Sequence, residues 1–196
     1  MKTELTELKS RLFILLKTEA NRLAEFSDFH IELESRLGSA NAEHRMNIRA
    51  ALVAHLRSRE AIFDEANILD LSRPPKIENY AISISHAENA GGFVCARTCS
   101  ARRLGFDIET RERVQPAIVK RVLMGDEAYS EARLAQHWCA KEAVVKALGN
   151  ASGQLPSITE VKILWEDDSR FSTNGAWGIV QVLGNFSCSI AISGNQ

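Results

Sequence analysis

Two segments decide how this 196-residue chain folds, and the first reads Gly105-Phe106-Asp107-Ile108-Glu109. Successive side chains of an extended strand point to opposite faces, so Asp107 and Glu109 share one face. Phe106 and Ile108 then point the other way, into a core. Two adjacent anions repel each other, and a bound cation offsets that repulsion; oxygen-only ligands favour Mg²⁺ or Mn²⁺ over zinc. Taken alone, the Asp-Ile-Glu triplet is far more typical of a half-buried strand with one wet face than of a metal site.

The second segment covers residues 138–147 and reads Trp-Cys-Ala-Lys-Glu-Ala-Val-Val-Lys-Ala. In a helix, Trp138, Glu142 and Lys146 are successive i,i+4 neighbours and line one stripe. An isolated Glu142–Lys146 pair would most often be a solvated ion pair contributing ~0.3 kcal/mol. The combination with the first segment is unusual, because it supplies three carboxylates and a lysine suited to holding a hard metal ion on a phosphate.

The surrounding sequence predicts an α+β fold, with a mainly antiparallel sheet packed on helices. The segment Arg73-Pro74-Pro75 ends helix formation, since proline lacks an amide donor and biases its predecessor towards extended backbone. Beyond it, apolar residues alternate with period two in several short stretches. The predicted strands are 81–85, 92–96, 104–109, 160–165, 175–183 and 186–192, and the predicted helices between them are 116–124 and 126–148.

The first part of the chain shows helical rather than alternating spacing. Apolar residues such as Leu5, Leu8 and Leu12 recur every three or four positions, and the pattern continues through Leu23 and Phe26. Residues 38–41 are typical of a break between helices, and residues 47–66 are predicted to form a second helix. We therefore expect a helical N-terminal region over 1–76 and an α+β catalytic region over 77–196, with a single compact unit as the alternative.

Composition limits the classes of partner and compartment. The 45% apolar content can fill a core, and the net charge of -1 gives no global reason to expect nucleic acid or a membrane surface. The four cysteines form no CxxC pair, no apolar run reaches the length of a bilayer span, and the first residues lack the apolar centre of a secretory signal. A cytoplasmic protein with inert core cysteines is the expectation.

The two segments together resemble the paired signature of the 4'-phosphopantetheinyl transferases, including the surfactin-synthetase-activating type. Upstream, Ile84-Ser85-His86 resembles the serine-histidine strand that precedes the metal strand in the larger enzymes. The stretch from residue 118 to 129, with its acidic turn at Glu127, resembles the intervening helix and turn. The resemblance covers roughly residues 80 to 192.

The resemblance implies a holo-[acyl-carrier-protein] synthase with the 4'-phosphopantetheinyl transferase fold. Such enzymes move the phosphopantetheine arm of coenzyme A to a serine of an acyl or peptidyl carrier protein, as in fatty acid biosynthesis, and release adenosine 3',5'-bisphosphate. Mg²⁺, or Mn²⁺, would be held by Asp107, Glu109 and Glu142. Coenzyme A is then a substrate, and the carrier protein is the partner.

The remaining catalytic roles follow from the same resemblance. Lys146 would offset charge on the leaving phosphate, with Lys141 as a weaker candidate for coenzyme binding because it points off the stripe. Glu142, alone or through water, is the candidate base for the carrier serine, and Glu127 is a candidate helper.

The coenzyme nucleotide needs cationic partners for its 3'-phosphate. By resemblance, Ser85 and His86 would meet that phosphate, and Arg45 would approach the nucleotide from a helix. Arg73 and Lys76 would replace a basic Gly-Lys-Pro loop that this chain lacks. Four further basic residues would steer the acidic helix of a carrier protein: Arg113, Lys120, Arg121 and Arg133. The alternative is an ordinary solvated face, which explains most runs of charged residues.

The sequence leaves several alternatives open. The first seventy residues match neither the two-lobed enzymes nor the small trimeric synthases; a monomer is favoured, and a trimer is the competing architecture. A non-catalytic carrier-protein or coenzyme A binding module would share the resemblance. A different Mg²⁺-dependent phosphoryl-transfer enzyme would share the carboxylates but not the Trp-x-x-Lys-Glu helix.

Overall fold

The protein is described by a computed structural model that covers residues 1–35, 41–125, 127, 129–149 and 155–194. Within these residues the helices and strands follow one another as α1 (Lys2–Thr18), β1 (Phe26–Ser35), α2 (Asn41–Ser58), α3 (Glu65–Leu69), β2 (Tyr80–His86), β3 (Ala90–Thr98), β4 (Leu104–Thr110), α4 (Pro116–Val122), α5 (Leu134–Leu148), β5 (Leu164–Trp165), β6 (Arg170–Thr173), β7 (Ala176–Leu183) and β8 (Phe186–Ser193). Short 3₁₀ turns cover Arg111–Arg113, Glu131–Arg133 and Ile158–Glu160.

The larger sheet is antiparallel and has the strand order β4-β8-β7-β6-β5. Helix α5 packs across β4, β8 and β7. One face of these strands joins the leucines of α1 in a core that includes Leu8, Phe106 and Ile190, each fully buried. The opposite face packs on α5 through residues such as Ala143 and Val180. The sheet is thus buried on both sides, which explains its apolar composition.

The smaller sheet is also antiparallel and has the order β1-β3-β2. Helix α2 packs on β3 through Ile48, Leu52 and Phe93. Strand β2, at the edge of this sheet, lies against β4, at the edge of the other: the Ser83 hydroxyl accepts a 2.9 Å hydrogen bond from the Phe106 amide. The two sheets therefore meet at β2 and β4, the strands that carry Ser85 and Asp107.

Gly105 allows helix α5 to lie directly on β4. A Cβ atom at this position would overlap the carbonyl oxygen of Ala143 and the amide nitrogen of Ala147, both backbone atoms of the helix. Because backbone cannot yield to a side chain, only glycine permits this close approach. The glycine of the first segment thus brings the second segment against the strand.

The structure confirms the α+β class with two antiparallel sheets. It corrects the expectation that the region before residue 76 is helical throughout, because Phe26–Ser35 forms β1 and pairs with β3. An alternating pattern was present, with Ile31 and Leu33 buried between more exposed polar neighbours. The leucines of α1 are buried at helical spacing, as expected. The division at residue 76 stays a prediction.

Other boundaries also differ from the prediction. The helix expected over 47–66 begins earlier, at Asn41, and ends at Ser58, before the separate short helix α3. The helix expected over 126–148 is shorter than predicted, because α5 begins only at Leu134, after a 3₁₀ turn. The strand expected over 160–165 contains only β5, since Ser157 caps a 3₁₀ turn over Ile158–Glu160 with a capping box. Most of the predicted break at 38–41, namely residues 38–40, lies outside the described part of the chain, as do residues 36, 37, 126, 128 and 150–154.

Among the described helices, none has the length and apolar character needed to cross a bilayer.

Candidate active site

Asp107 is the centre of a hydrogen-bonded group at the junction of β2, β4 and α5. Its Oδ1 atom accepts hydrogen bonds from the Ser85 hydroxyl at 2.7 Å and from the Lys146 ammonium at 2.8 Å. Lys146 Nζ also donates to Ser85 Oγ at 3.1 Å and to the carbonyl oxygen of Phe106 at 3.0 Å. The structure therefore brings Ser85, Asp107 and Lys146, all predicted from the sequence, into direct contact.

Glu109 and Glu142 lie close enough to Asp107 to feel its charge. Burial raises the pKa of Glu142, and the charges of Asp107 and Glu109 raise it further, while Lys146 opposes them. Burial also raises the pKa of Glu109, and the charge of Asp107 adds to this. Glu109 accepts a hydrogen bond from the Thr110 amide at 2.8 Å, and Arg113 lies 3.7 Å away. Three acidic groups thus share one face of β4 and the adjoining stripe of α5.

These carboxylates fit a hard divalent cation by their chemistry, since all donors are oxygen atoms and their mutual repulsion favours a bound positive charge. The geometry is less complete. Within the described residues, no three His, Cys, Asp or Glu side chains are grouped so as to hold a metal ion. The Asp107 carboxylate instead accepts hydrogen bonds from Lys146 and Ser85. The metal assignment of Asp107, Glu109 and Glu142 therefore stays a prediction.

A cationic region lies beside this acidic group, around the end of β2. Partial burial lowers the pKa of His86, and the charges of Arg45 and Lys146 and the neighbouring His44 lower it further, against an opposing effect of Asp107. Helix α2 brings Arg45 and His44 to this place. The predicted coenzyme residues Arg45 and His86 therefore lie near each other and near Lys146, although they are distant in sequence.

His44 and Gly91 belong to the same region and were not assigned from the sequence. Gly91 pairs with His86 in the β2–β3 ladder, and a Cβ atom at Gly91 would lie only 2.8 Å from His44 Nε2. Glycine at this position lets α2 approach the end of β2. The only sequence feature that pointed to His44 was its position directly before Arg45. Whether His44 reaches the site depends on where α2 packs.

The segment before β2 is fixed to α2 by two arginines. Arg45 donates a 2.9 Å hydrogen bond to the carbonyl oxygen of Leu71, and Arg49 donates a 2.8 Å hydrogen bond to that of Arg73. The side chain of Arg73 is exposed and pairs with Asp70 at 3.0 Å. Lys76 is exposed in the same segment. The assignment of Arg73 and Lys76 to coenzyme binding stays a prediction.

Glu127 and Lys141 form a buried ion pair, an arrangement that favours a structural role, and the catalytic and coenzyme-binding roles expected for them stay predictions. Both side chains are fully buried, with Lys141 Nζ 2.6 Å from Glu127 Oε2. Lys141 also donates to the carbonyl oxygen of Val161. Glu127 receives hydrogen bonds from His137 and from the amides of Met124 and Ile163.

Their electrostatics agree with this structural role. Burial by itself raises the pKa of Glu127, but hydrogen bonds, first from His137 and Lys141, outweigh it and lower the pKa to about 2. A carboxylate that is ionised and already saturated with donors is a poor helper base. Lys141, enclosed beneath α5, has no surface to present to coenzyme A. Lys141 faces the buried side of α5 because its position in the sequence places it off the stripe formed by Trp138, Glu142 and Lys146.

The basic residues expected to meet a carrier protein are spread over the surface near α4 and the turns beside it. Lys120 and Arg121 are exposed on α4. Arg113 lies near Glu109, and Arg133 pairs with Asp168. Nothing in these contacts tests their role, and carrier steering stays a prediction.

Residues 103–191 match the model of one protein family, described as the 4'-phosphopantetheinyl transferase superfamily. The match runs from the start of β4 to near the end of β8, so it contains Asp107, Glu109, Glu142 and Lys146. No curated protein matches the chain significantly. The match covers somewhat less than half of the chain, and it supports a resemblance of this region to the 4'-phosphopantetheinyl transferase superfamily, a group of transferases that act on carrier proteins with coenzyme A.

Proposed function

We propose that this protein transfers the 4'-phosphopantetheine arm of coenzyme A to a serine of an acyl or peptidyl carrier protein in a Mg²⁺-dependent reaction that releases adenosine 3',5'-bisphosphate. One observation supports this most strongly: Asp107, Lys146 and Ser85 meet at the junction of β2, β4 and α5. Asp107 and Lys146 come from the two segments typical of the superfamily, and Ser85 comes from a strand outside the matched region. A cytoplasmic location remains part of the proposal.

Asp107, Glu109 and Glu142 are the residues that would hold the metal ion. A bound Mg²⁺ would neutralise charge on the diphosphate as the phosphoryl group is transferred. The chain prepares this site by placing the buried carboxylate of Asp107 beside the half-buried carboxylates of Glu109 and Glu142, where an unpaired negative charge is costly. Ser85 fixes the orientation of Asp107, because its hydroxyl donates to Oδ1 at 2.7 Å. Ser85 therefore acts first as a positioning residue for the carboxylate.

Lys146 and Glu142 supply charge and a proton acceptor. Lys146 is 26% exposed, so its side chain lies at the boundary between the buried carboxylate and solvent. From there it can stabilise negative charge on the departing phosphate. Glu142, whose pKa is raised above its ordinary range by burial and by Asp107, is suited to accept the serine proton directly or through water.

The coenzyme nucleotide would lie at the cationic end of β2. His86 and Arg45 are the proposed partners of the 3'-phosphate, since α2 places the guanidinium in electrostatic range of the imidazole. An arginine can bind a phosphate through two parallel hydrogen bonds. The diphosphate would then extend towards Lys146, whose charge also acts on His86.

The test incubates apo acyl and peptidyl carrier proteins with coenzyme A and Mg²⁺ and follows the mass of the carrier. Transfer adds the mass of a phosphopantetheine group to one serine. The Asp107→Asn and Glu142→Gln variants should lose transfer by about a hundredfold or more while they keep their melting temperature within a few degrees. Glu78→Gln, an exposed change on the loop before β2, is the control and should leave transfer unchanged.

A second candidate function is a binding module without catalysis. It would retain coenzyme A affinity, measured by calorimetry, but add no mass to any carrier protein. Near-normal turnover of either carboxylate variant at limiting Mg²⁺ would instead refute the metal assignment while leaving the transfer reaction in place.

A further inference from the structure

We propose that Lys146 is the resting counter-cation of Asp107 and exchanges with the divalent metal ion, so that coenzyme A strengthens metal binding by drawing the lysine away from the carboxylate. The inference rests on the proposed function and adds to it a specific source of metal–coenzyme coupling. It concerns one contact that the chain itself makes, the 2.8 Å ion pair between Lys146 Nζ and Asp107 Oδ1.

The ammonium of Lys146 has the surroundings of a bound cation. Three oxygen atoms lie 2.8 to 3.1 Å from Nζ: Asp107 Oδ1, the Phe106 carbonyl oxygen and Ser85 Oγ. These oxygen atoms come from two strands of different sheets, while the lysine comes from α5. The Lys146 ammonium thus places a positive charge between β2 and β4, where the two sheets meet.

The lysine is the movable member of this pair. The Asp107 side chain is 7% exposed, whereas that of Lys146 is 26% exposed. Asp107 is also fixed by the hydrogen bond from Ser85, and its strand pairs with β8 along its whole length. A four-carbon stem with rotatable bonds allows the ammonium to turn towards the cleft while the carboxylate stays in place.

The local charges leave room for a divalent ion in place of the lysine. Asp107, Glu109 and Glu142 together carry three formal negative charges, of which Lys146 offsets one at Asp107 and Arg113 offsets part of the charge of Glu109 from 3.7 Å. A metal ion bound by Asp107 would be repelled by an ammonium held at the same oxygen atom. One of the two cations must therefore leave Oδ1. A diphosphate near Lys146 gives the ammonium another anionic partner.

Linkage then predicts the sign of two measurable effects. Removing the lysine charge frees Asp107 and should strengthen metal binding in the absence of coenzyme by about tenfold, within the usual range of coupling between sites. The same change should remove much of the gain in metal affinity that coenzyme A provides to the wild-type protein. A lysine that only contacts phosphate predicts no change in the affinity for metal alone.

The experiment measures free Mn²⁺ by electron paramagnetic resonance during titration into the wild-type protein and the Lys146→Met variant, with and without saturating coenzyme A. We expect tighter binding of Mn²⁺ alone to the variant and a smaller effect of coenzyme A. Lys146→Arg keeps the charge and should resemble the wild type. Lys2→Met removes an exposed charge at the start of α1 and is the control. If Lys146→Met fails to fold, Lys146→Gln replaces it, because glutamine can still donate a hydrogen bond.

Equal or weaker Mn²⁺ binding to the neutral variants would overturn the exchange, and so would the absence of any Mn²⁺ binding to the wild-type protein. Neither result depends on a carrier protein. The carrier mass shift with the wild-type protein therefore tests the proposed function separately from the exchange.

Discussion

Replacing His55 with phenylalanine should make the protein more resistant to acid, because His55 is held neutral in the native state. The His30 and His55 rings are stacked with centroids 3.9 Å apart and planes 17° apart, and Phe93 lies within about 6 Å of both. His55 Nε2 is buried and has no hydrogen-bond partner in the described part of the chain. A phenylalanine ring keeps the stack and removes this unpaired nitrogen.

The size of the effect follows from the pKa of His55. This pKa is lowered from 6.5 to about 4, mainly by burial and then by the charges of His30 and Arg59, against smaller opposing effects of Glu32 and Asp28. Lys9 and Glu32 also act on His30 from α1 and β1. The full change would correspond to roughly 3 kcal/mol. Because the ring is partly exposed and screened by solvent, we expect about 1 to 2 kcal/mol.

The sign is set by which state binds the proton. Between pH 6.5 and about 4 the unfolded chain protonates His55 and the native state does not, so stability present above pH 6.5 is lost as the pH falls towards 4. The advantage of His55→Phe in free energy of unfolding should therefore grow by about 1 to 2 kcal/mol between pH 7 and pH 4. At this chain length that is roughly 2 to 8 °C in melting temperature.

The assay is urea unfolding at a series of pH values, followed by circular dichroism, for the wild type, His55→Phe and His55→Asn. Asparagine removes the titration but not the polarity, so it should share the altered pH slope without the stabilisation. Curves for all three proteins that run parallel between pH 7 and pH 4 would show that His55 is not held neutral by the fold, and the reasoning would fail.

Three further changes test other parts of the structure. Gly105→Ala should prevent normal folding or lower the melting temperature by more than about 10 °C, because the new Cβ would overlap the backbone of Ala143; a melt like that of the wild type would contradict the close approach of α5. Glu127→Gln should cost about 3 to 5 kcal/mol in urea unfolding, since it leaves the Lys141 ammonium buried without its anion. A loss of transfer with unchanged stability would instead restore Glu127 to a catalytic role. Arg45→Ala should weaken coenzyme A binding about tenfold in calorimetry and leave 3'-dephospho-coenzyme A unaffected; equal losses for both ligands would remove Arg45 from the 3'-phosphate.

The local periodicity of the chain predicted which side chains share a face better than it predicted the borders of the elements. Asp107 and Glu109 share a strand face, and Glu142 and Lys146 share a helix stripe, because both relations depend only on the repeat of regular structure. Boundaries such as the start of α5 at Leu134 depend on capping and packing, which apolar spacing does not encode. The strand β1 was missed because a helical pattern before it was extended too far.

Roles that depend on burial were beyond the sequence. Lys141 lies within the second segment and Glu127 precedes it, and charged residues of this kind are usually exposed. In the fold they lie on the inner side of α5 and neutralise each other, with His137 completing the group. Only the packing of α5 against the segment around Val161 decides that these charges are enclosed rather than presented to a ligand.

By itself, the sequence determined the chemistry of the two segments: which carboxylates share a face, and which lysine follows Glu142 along the helix. Tertiary structure alone decided that the edges of two sheets meet at β2 and β4, so that Ser85 and Lys146 converge on Asp107. The physical reason is that periodicity acts over a few residues, whereas these contacts join positions 22 and 39 residues apart. Such contacts form only when the cores beneath both sheets are packed.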